Sequence, residues 1–235
     1  MTESTSSGKF ITFEGVDGCG KSTQAEKLVE KLFEIDISAV TVREPGGDPI
    51  SESIRKLLLH AEESMSDRAE ALLMISSRAQ LTDKVILPHI INGKWVVADR
   101  YADSTLAYQG GGRGLSVNAL DEINNFGTYT LKPDITFFID VPVEKADERM
   151  SVSRDRIEKE GSNFQQRVRD QYLAIHTKDP DRVVLINGEQ SIDKVFEDIW
   201  SAMKEKFSLW DILKKHRSSL WFSWYVSLEY FAVNS

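Results

Sequence analysis

The sequence predicts an α/β fold: a five-stranded parallel β-sheet flanked by helices on both faces. Two observations carry this expectation. Short apolar runs alternate along the chain with stretches of helical periodicity, which is the pattern of repeated βαβ units. The first run leads into Gly15-Val16-Asp17-Gly18-Cys19-Gly20-Lys21-Ser22, which fits G-x-x-x-x-G-K-S, and a helical stretch follows it. Strand, glycine loop and helix form the setting in which that motif cradles phosphates, so the fold predicted is that of a P-loop NTPase.

The elements follow in order. Phe10-Ile11-Thr12-Phe13 reads as the first strand, and Thr23 to Phe33 as a helix with Ala25, Leu28, Val29 and Leu32 on one face. Ala39 to Val42 is a second strand that runs into Arg43-Glu44-Pro45-Gly46-Gly47, a loop at the ligand edge of a parallel sheet. Ser51 to His60 is helical, as is the longer stretch Asp67 to Ile91, with a break expected near Pro88. Trp95 to Ala98 is a third strand, ending at Asp99-Arg100-Tyr101. A short helical stretch leads to a predicted glycine-rich loop, Gly110 to Gly114, and Val117 to Phe126 is a helix. Ile135 to Ile139 is the fourth strand, and Val143 to Met150 begins a helix before the charge-dense segment Ser151 to Gly161. Asn163 to His176 is helical, Val183 to Ile186 is the fifth strand, and Ser191 to Phe207 is a closing amphipathic helix.

The chain of 235 residues fits one domain, here expected over residues 9–207. Residues 1–8 are Ser/Thr-rich, lack the apolar core of a signal peptide and are expected to be disordered. Residues 208–235 form an aromatic-rich extension, expected to pack on the domain or on a second copy. No run approaches the roughly 18 apolar residues of a membrane span. The formal net charge of −8 argues against a nucleic-acid binder with a broad basic surface, but leaves room for a local anion site. The single cysteine, Cys19, excludes an intrachain disulfide and suits a cytoplasmic setting. Its place in a tight loop reads as a small tolerated side chain rather than a redox switch.

The motif dictates its own chemistry. Its glycines let backbone N–H groups of Gly15, Gly18, Cys19, Gly20 and Thr23 approach the phosphates of ATP. Lys21 would reach the outer phosphates, and the Ser22 hydroxyl would ligate Mg²⁺. Asp99 can hold Mg²⁺ through water, and Arg100 can grip a second phosphate. Arg149, Arg154 and Arg156 lie between two helices in a segment, about residues 149–161, that reads as a mobile lid carrying positive charge over the phosphates. No Asn-Lys-x-Asp is present, which weakens a GTPase reading. The four histidines are scattered without metal-ligand spacing and are expected at the surface. Phosphoryl transfer onto a second phosphate needs no dedicated base, which fits a site of Lys, Arg and Mg²⁺.

At this point the chain resembles the thymidylate kinases, of the bacterial type. The matching stretches are Phe13-Glu14-Gly15 through Thr23-Gln24, Arg43 to Gly47, Ser77-Arg78-Ala79-Gln80, Asp99-Arg100-Tyr101 with Ser104 and Ala107 to Gly110, and Asp155-Arg156-Ile157-Glu158. They come in the family's order and spacing. The resemblance implies Mg²⁺-dependent transfer of the ATP γ-phosphate to dTMP, and a homodimer. Asp17 would contact the dTMP sugar or Mg²⁺, Arg43 and Arg100 the dTMP phosphate, and Arg78 the thymine carbonyl. Ser104, Tyr108 and Gln109 would line the base and sugar pocket, with Pro45 nearby.

Two departures stand out. Met74 occupies a position where the family often stacks a Phe on thymine, and thioether packing replaces a ring there. Gly18 stands where some relatives place an Arg, so the catalytic Arg is expected from the lid, as Arg149 or Arg154. Two rivals remain at this stage: a kinase for another nucleoside monophosphate, and a P-loop switch or scaffold that transfers no phosphate.

Overall fold

The computed structural model describes residues 7–61, 63–150 and 154–210. Its sheet has the order β2-β3-β1-β4-β5, with every pairing parallel. The strands are β1 Phe10–Glu14, β2 Ala39–Arg43, β3 Trp95–Asp99, β4 Ile135–Asp140 and β5 Val183–Asn187. β1 is central and buried along its whole length, as a strand covered on both faces must be. β2 and β5 are the edges, and each exposes part of its run.

Strand alternation sorts the two faces. Ile11, Phe13, Phe137 and Ile139 share one apolar cluster with Leu28 and Leu32 of helix α1 (Lys21–Phe33) and with Val195 and Ile199 of helix α9 (Ile192–Lys206). Phe10, Val96 and Ala98 cluster instead with Leu81 and Ile86. Phe138 stacks on Tyr172 of helix α8 (Ser162–Lys178), with ring centroids 5.2 Å apart. Thr12 and Thr136 meet on a fully buried part of the sheet, their hydroxyls 2.7 Å apart, so each satisfies the other.

Three further helices begin where short polar side chains cap them. Asp48 accepts from the Ile50 N–H ahead of α2 (Pro49–His60), and Ser66 accepts from Ala69 N–H ahead of α3 (Asp67–Leu81). Ser116 does the same for α6 (Val117–Gly127). Two expectations are corrected here. The helix from Asp67 does not break at Pro88. A π-helical turn at Thr82–Ile86 comes first, and the chain continues as α4 (Leu87–Ile91). The wider turn takes up the crowding that proline imposes on the preceding carbonyls.

The second correction concerns the predicted glycine loop. After α5 (Ala102–Thr105), residues Leu106–Gly112 form a further π-helical stretch against α8. A Cβ on Gly111 would come within 2.7 Å of the Arg167 carbonyl oxygen, so this glycine serves close helix approach rather than loop freedom. His89 and His176 also differ from a plain surface placement. Both are half-buried, with Nδ1 2.7 Å from the backbone oxygens of Val85 and Val183. Of the aromatic extension, only Ser208 to Trp210 fall within the described residues. Leu209 is buried against the core, and Lys204 lies over the Trp210 ring.

Leu28 is fully buried and joins α1 to the sheet just behind the glycine loop. Leu28→Ala should lower unfolding free energy in urea by about 2–5 kcal/mol, the usual cost of an uncollapsed core cavity.

Candidate active site

A cavity of about 810 Å³ opens over the carboxyl ends of the strands. At one end lies the P-loop. Gly20 caps α1 with φ +99° and supplies no side chain, so the first-turn N–H groups of α1 point into the cavity mouth unclaimed by a capping side chain. Lys21 folds back, with Nζ donating to the carbonyls of Gly15 at 3.1 Å and Val16 at 2.8 Å. Ser22 Oγ donates to Asp99, which brings a hydroxyl and a carboxylate together beside the loop. Cys19 is buried, and burial pushes its thiol up from its ordinary value. That suits packing and opposes redox reactivity.

Gly18 has φ +81°, and a Cβ there would fall 2.2 Å from the carbonyl oxygen of Ala146 in helix α7 (Val143–Glu148). The loop position is therefore closed to any side chain. Gly18 brings no cation into the cavity, whereas Arg149 borders it.

Arg100 lies at the middle of the floor. It follows β3 with φ +75°, an uncommon conformation for a residue with a Cβ, held by its N–H bond to Phe13 O at 3.0 Å. Its guanidinium donates to Gly15 O, Ser104 Oγ and Tyr172 Oη, and to Tyr108 Oη at 2.9 Å. It also pairs with Asp17. Tyr108 Oη donates its own hydrogen bond to Asp17 at 2.8 Å. Burial alone would raise the Asp17 carboxyl, but Arg100 and Lys21 outweigh it and hold Asp17 below the usual range. Beneath them Glu14 accepts from Tyr101 N–H at 2.7 Å, Ser104 Oγ at 2.6 Å and Tyr172 Oη at 2.8 Å. Burial, and next Asp103, raise the Glu14 carboxyl.

The far end of the cavity is lined by Arg43, Pro45, Met74, Arg78, Thr105, Tyr108 and Gln109. Arg43 is exposed and pairs with Glu52 at 3.0 Å. Gln109 is buried and donates to Glu70 at 3.0 Å. Arg78 is buried and pairs with Glu44 through Nε at 2.7 Å. Burial pushes the Glu44 carboxyl up to about 7, against the pull of Arg78.

The lid closes a third side. Arg149 borders the cavity and donates to Gly188 O at 3.1 and 3.2 Å. Asp155 caps its own turn by accepting from the N–H groups of Ile157 and Glu158. Arg154 stands away from the cavity, paired with Asp147 at 2.7 Å beside a smaller cleft near His60 and Lys159. The two lid candidates thus part: only Arg149 faces the cavity in this conformation. Gly15 also stays off the cavity wall and contributes its carbonyl to Lys21 and Arg100 instead.

A family model described as thymidylate kinase matches residues 13–199. The chain belongs to the thymidylate kinase family. A thymidylate kinase of Fervidobacterium nodosum is 48% identical over 191 residues, covering 81% of this chain and 95% of that protein. One from Thermosipho africanus is 44% identical over 197 residues, covering 83% and 98%. The crystal structure of thymidylate kinase from Ehrlichia chaffeensis matches with a TM-score of 0.71 and 35% identity, over 84% of this chain and 99% of that one. The candidate site residues named from the sequence, with the exceptions of Gly15 and Arg154, line this one cavity.

Sequence reasoning missed several members of that lining. Arg55 of α2 borders the cavity and donates to Pro45 O at 2.7 Å. Its signal was its place four residues after Ser51 on the buried side of α2. Glu44 and Thr105 also border the cavity. Each sits inside or next to a quoted motif, but its side-chain role needs the third dimension.

The Glu44 carboxyl gives a pH prediction. Its folded value near 7 lies above the ordinary 4.5, so between those values the folded chain holds a proton that the unfolded chain has lost. Unfolding free energy should therefore fall as pH rises through this window, by up to about 3 kcal/mol from this group. Thermal melts of Glu44→Gln should show a flatter slope from pH 4.5 to 7 than the parent.

Proposed function

We propose that the cavity binds ATP over the P-loop and dTMP at the Arg43–Gln109 end, and that the γ-phosphate passes between them above Arg100. The chain is an enzyme of the thymidylate kinase type, with ATP as phosphate donor and dTMP as acceptor, giving ADP and dTDP. One observation carries the residue assignment: a P-loop and a second, separately anchored arginine stand in one cavity. A nucleotide switch has no use for that second clamp.

The roles follow from chemistry. Lys21 leaves the Gly15 and Val16 carbonyls to meet the β- and γ-phosphates, joined by the N–H groups of the loop and of Thr23. Arg100, Arg43 and Arg55 hold the dTMP phosphate and neutralise its charge, so that one of its oxygens approaches the γ-phosphorus. That oxygen is already ionised and needs no base. Asp17 and Tyr108 keep Arg100 aimed and meet the sugar. Arg78, Met74, Pro45, Ser104 and Gln109 hold the base. Arg149 supplies the lid charge, and Arg154 can join only after the lid moves.

Ser22 and Asp99 supply a hydroxyl and a carboxylate, hard oxygen donors that fit Mg²⁺ carrying waters and phosphate oxygens. Bound there, Mg²⁺ would neutralise phosphate charge in the transition state. The kinase domain is taken as residues 9–207.

A homodimer is the further part of this reading. Leu72 of α3 and Ile123 and Phe126 of α6 are exposed, Phe126 to 88%, on two helices that pack side by side. Such a patch fits an isologous interface. A cytoplasmic setting agrees with a lone unpaired cysteine. Among the described residues, no helix is long and apolar enough to cross a membrane.

Initial rates of ADP formation with ATP, Mg²⁺ and a panel of nucleoside monophosphates test the assignment. dTMP should be preferred, and Lys21→Ala should lower kcat/KM at least about 100-fold. Near-parental activity of Lys21→Ala would remove the P-loop from the reaction. Light scattering should report a dimer for the parent and a monomer for Phe126→Glu; an unchanged mass would clear α6 of the interface.

A further inference from the structure

Arg78 is among the largest fully buried side chains of the protein, and it is nearly saturated. A guanidinium carries five N–H groups. Four are taken: Nε by Glu44 at 2.7 Å, Nη2 by Tyr101 O at 2.9 Å, and both Nη1 protons by Thr105 Oγ1 at 2.7 Å and Asn124 Oδ1 at 2.6 Å. A single Nη2–H is left for a ligand. One donor calls for one acceptor, so the orientation of the guanidinium plane decides what the cavity can read.

Three of the four acceptors belong to the strand-end loops and α5, next to the cavity. The fourth comes from behind. Asn124 lies on α6, is buried, and does not border the cavity. Its amide orientation is fixed, because Nδ2 donates to Ala102 O at 3.4 Å while Oδ1 faces Arg78. The α6 backbone is held in turn by the Thr128 N–H and hydroxyl on Asn124 O. Without Asn124 one Nη1–H would be buried and unpaired. The guanidinium would then turn toward any other acceptor, and its free N–H would turn with it.

We infer that Asn124 is a positioning residue for the acceptor base: by fixing Arg78 from behind, it selects a pyrimidine with a carbonyl, rather than an amino group, opposite the remaining N–H. This rests on the reading that Arg78 meets the base. An amino group there would set donor against donor, a mismatch that a hydrogen-bonding site rejects strongly.

The test is steady-state kinetics of Asn124→Ala, Asn124→Asp and Arg78→Ala, with dTMP and dCMP as acceptors. Asn124→Ala should raise the dTMP KM about tenfold, with kcat and the ATP KM within about twofold of the parent, and should narrow the preference for dTMP over dCMP. Asn124→Asp keeps the acceptor oxygen and should restore the dTMP KM. A rise with Arg78→Ala but none with Asn124→Ala would overturn the role of Asn124 alone. No rise with Arg78→Ala would overturn the base reading, and this inference with it. Equal rises in both KM values that Asp fails to rescue would mean a purely structural role, and would also overturn it. Should Asn124→Ala fail to fold, Asn124→Ser carries the same test, being polar but too short to reach Arg78.

Discussion

The site depends on how one largely buried cation, Arg100, is held. A guanidinium this deep needs opposite charge and a full set of acceptors, or its burial would cost several kcal/mol. Asp17 supplies the charge, and Gly15 O, Ser104, Tyr108 and Tyr172 supply the acceptors. Glu14 lies beneath and ties the β3 end, α5 and α8 to β1. Parallel strands bring Phe13 beside Asp99, so the two chain turns that carry Asp17 and Arg100 start at the same level. A cation pre-aimed by packing loses little on meeting a phosphate, which is the economy that phosphoryl transfer asks of a site.

The cavity has two halves with different mechanical character. The acceptor half is stiff: Arg78 and Arg100 are each fixed by several protein partners, and Gln109 donates to the buried Glu70. The donor half is poised. Lys21 rests on carbonyls that any incoming phosphate can outbid, and Arg149 donates to Gly188 O among the described residues. Gly18 cannot carry a cation because Ala146 lies against it, whereas Arg149 borders the same cavity. Glu70 joins the halves. Although burial would raise its carboxyl, hydrogen bonds from Arg113 and Gln109 hold it low, and Arg156 of the lid pairs with it at 2.7 Å.

Much of this was legible in the sequence, for physical reasons. Strand periodicity and the glycine motif follow from local sterics, so β1, the P-loop and α1 could be read directly. Asp99-Arg100 could be located because it ends an apolar run. The glycines Gly110 to Gly112 misled because glycine signals freedom and close approach alike, and only the packing of α8 tells them apart. Pro88 misled because a π turn absorbs a break that proline alone would force. Arg149 and Arg154 were indistinguishable on paper, since two equal charges stand only five positions apart in one polar segment. Asn124 carried no signal at all: it lies 46 positions from Arg78 in an ordinary helix.

The most direct measurement is a pair of affinities for Arg100→Ala, by titration calorimetry with dTMP and with a non-hydrolysable ATP analogue, set beside its turnover. The account requires dTMP affinity and kcat/KM for dTMP to fall by two orders of magnitude or more, while the ATP analogue binds within a few-fold of the parent. Equal loss of both ligands, or turnover close to the parent, would contradict it.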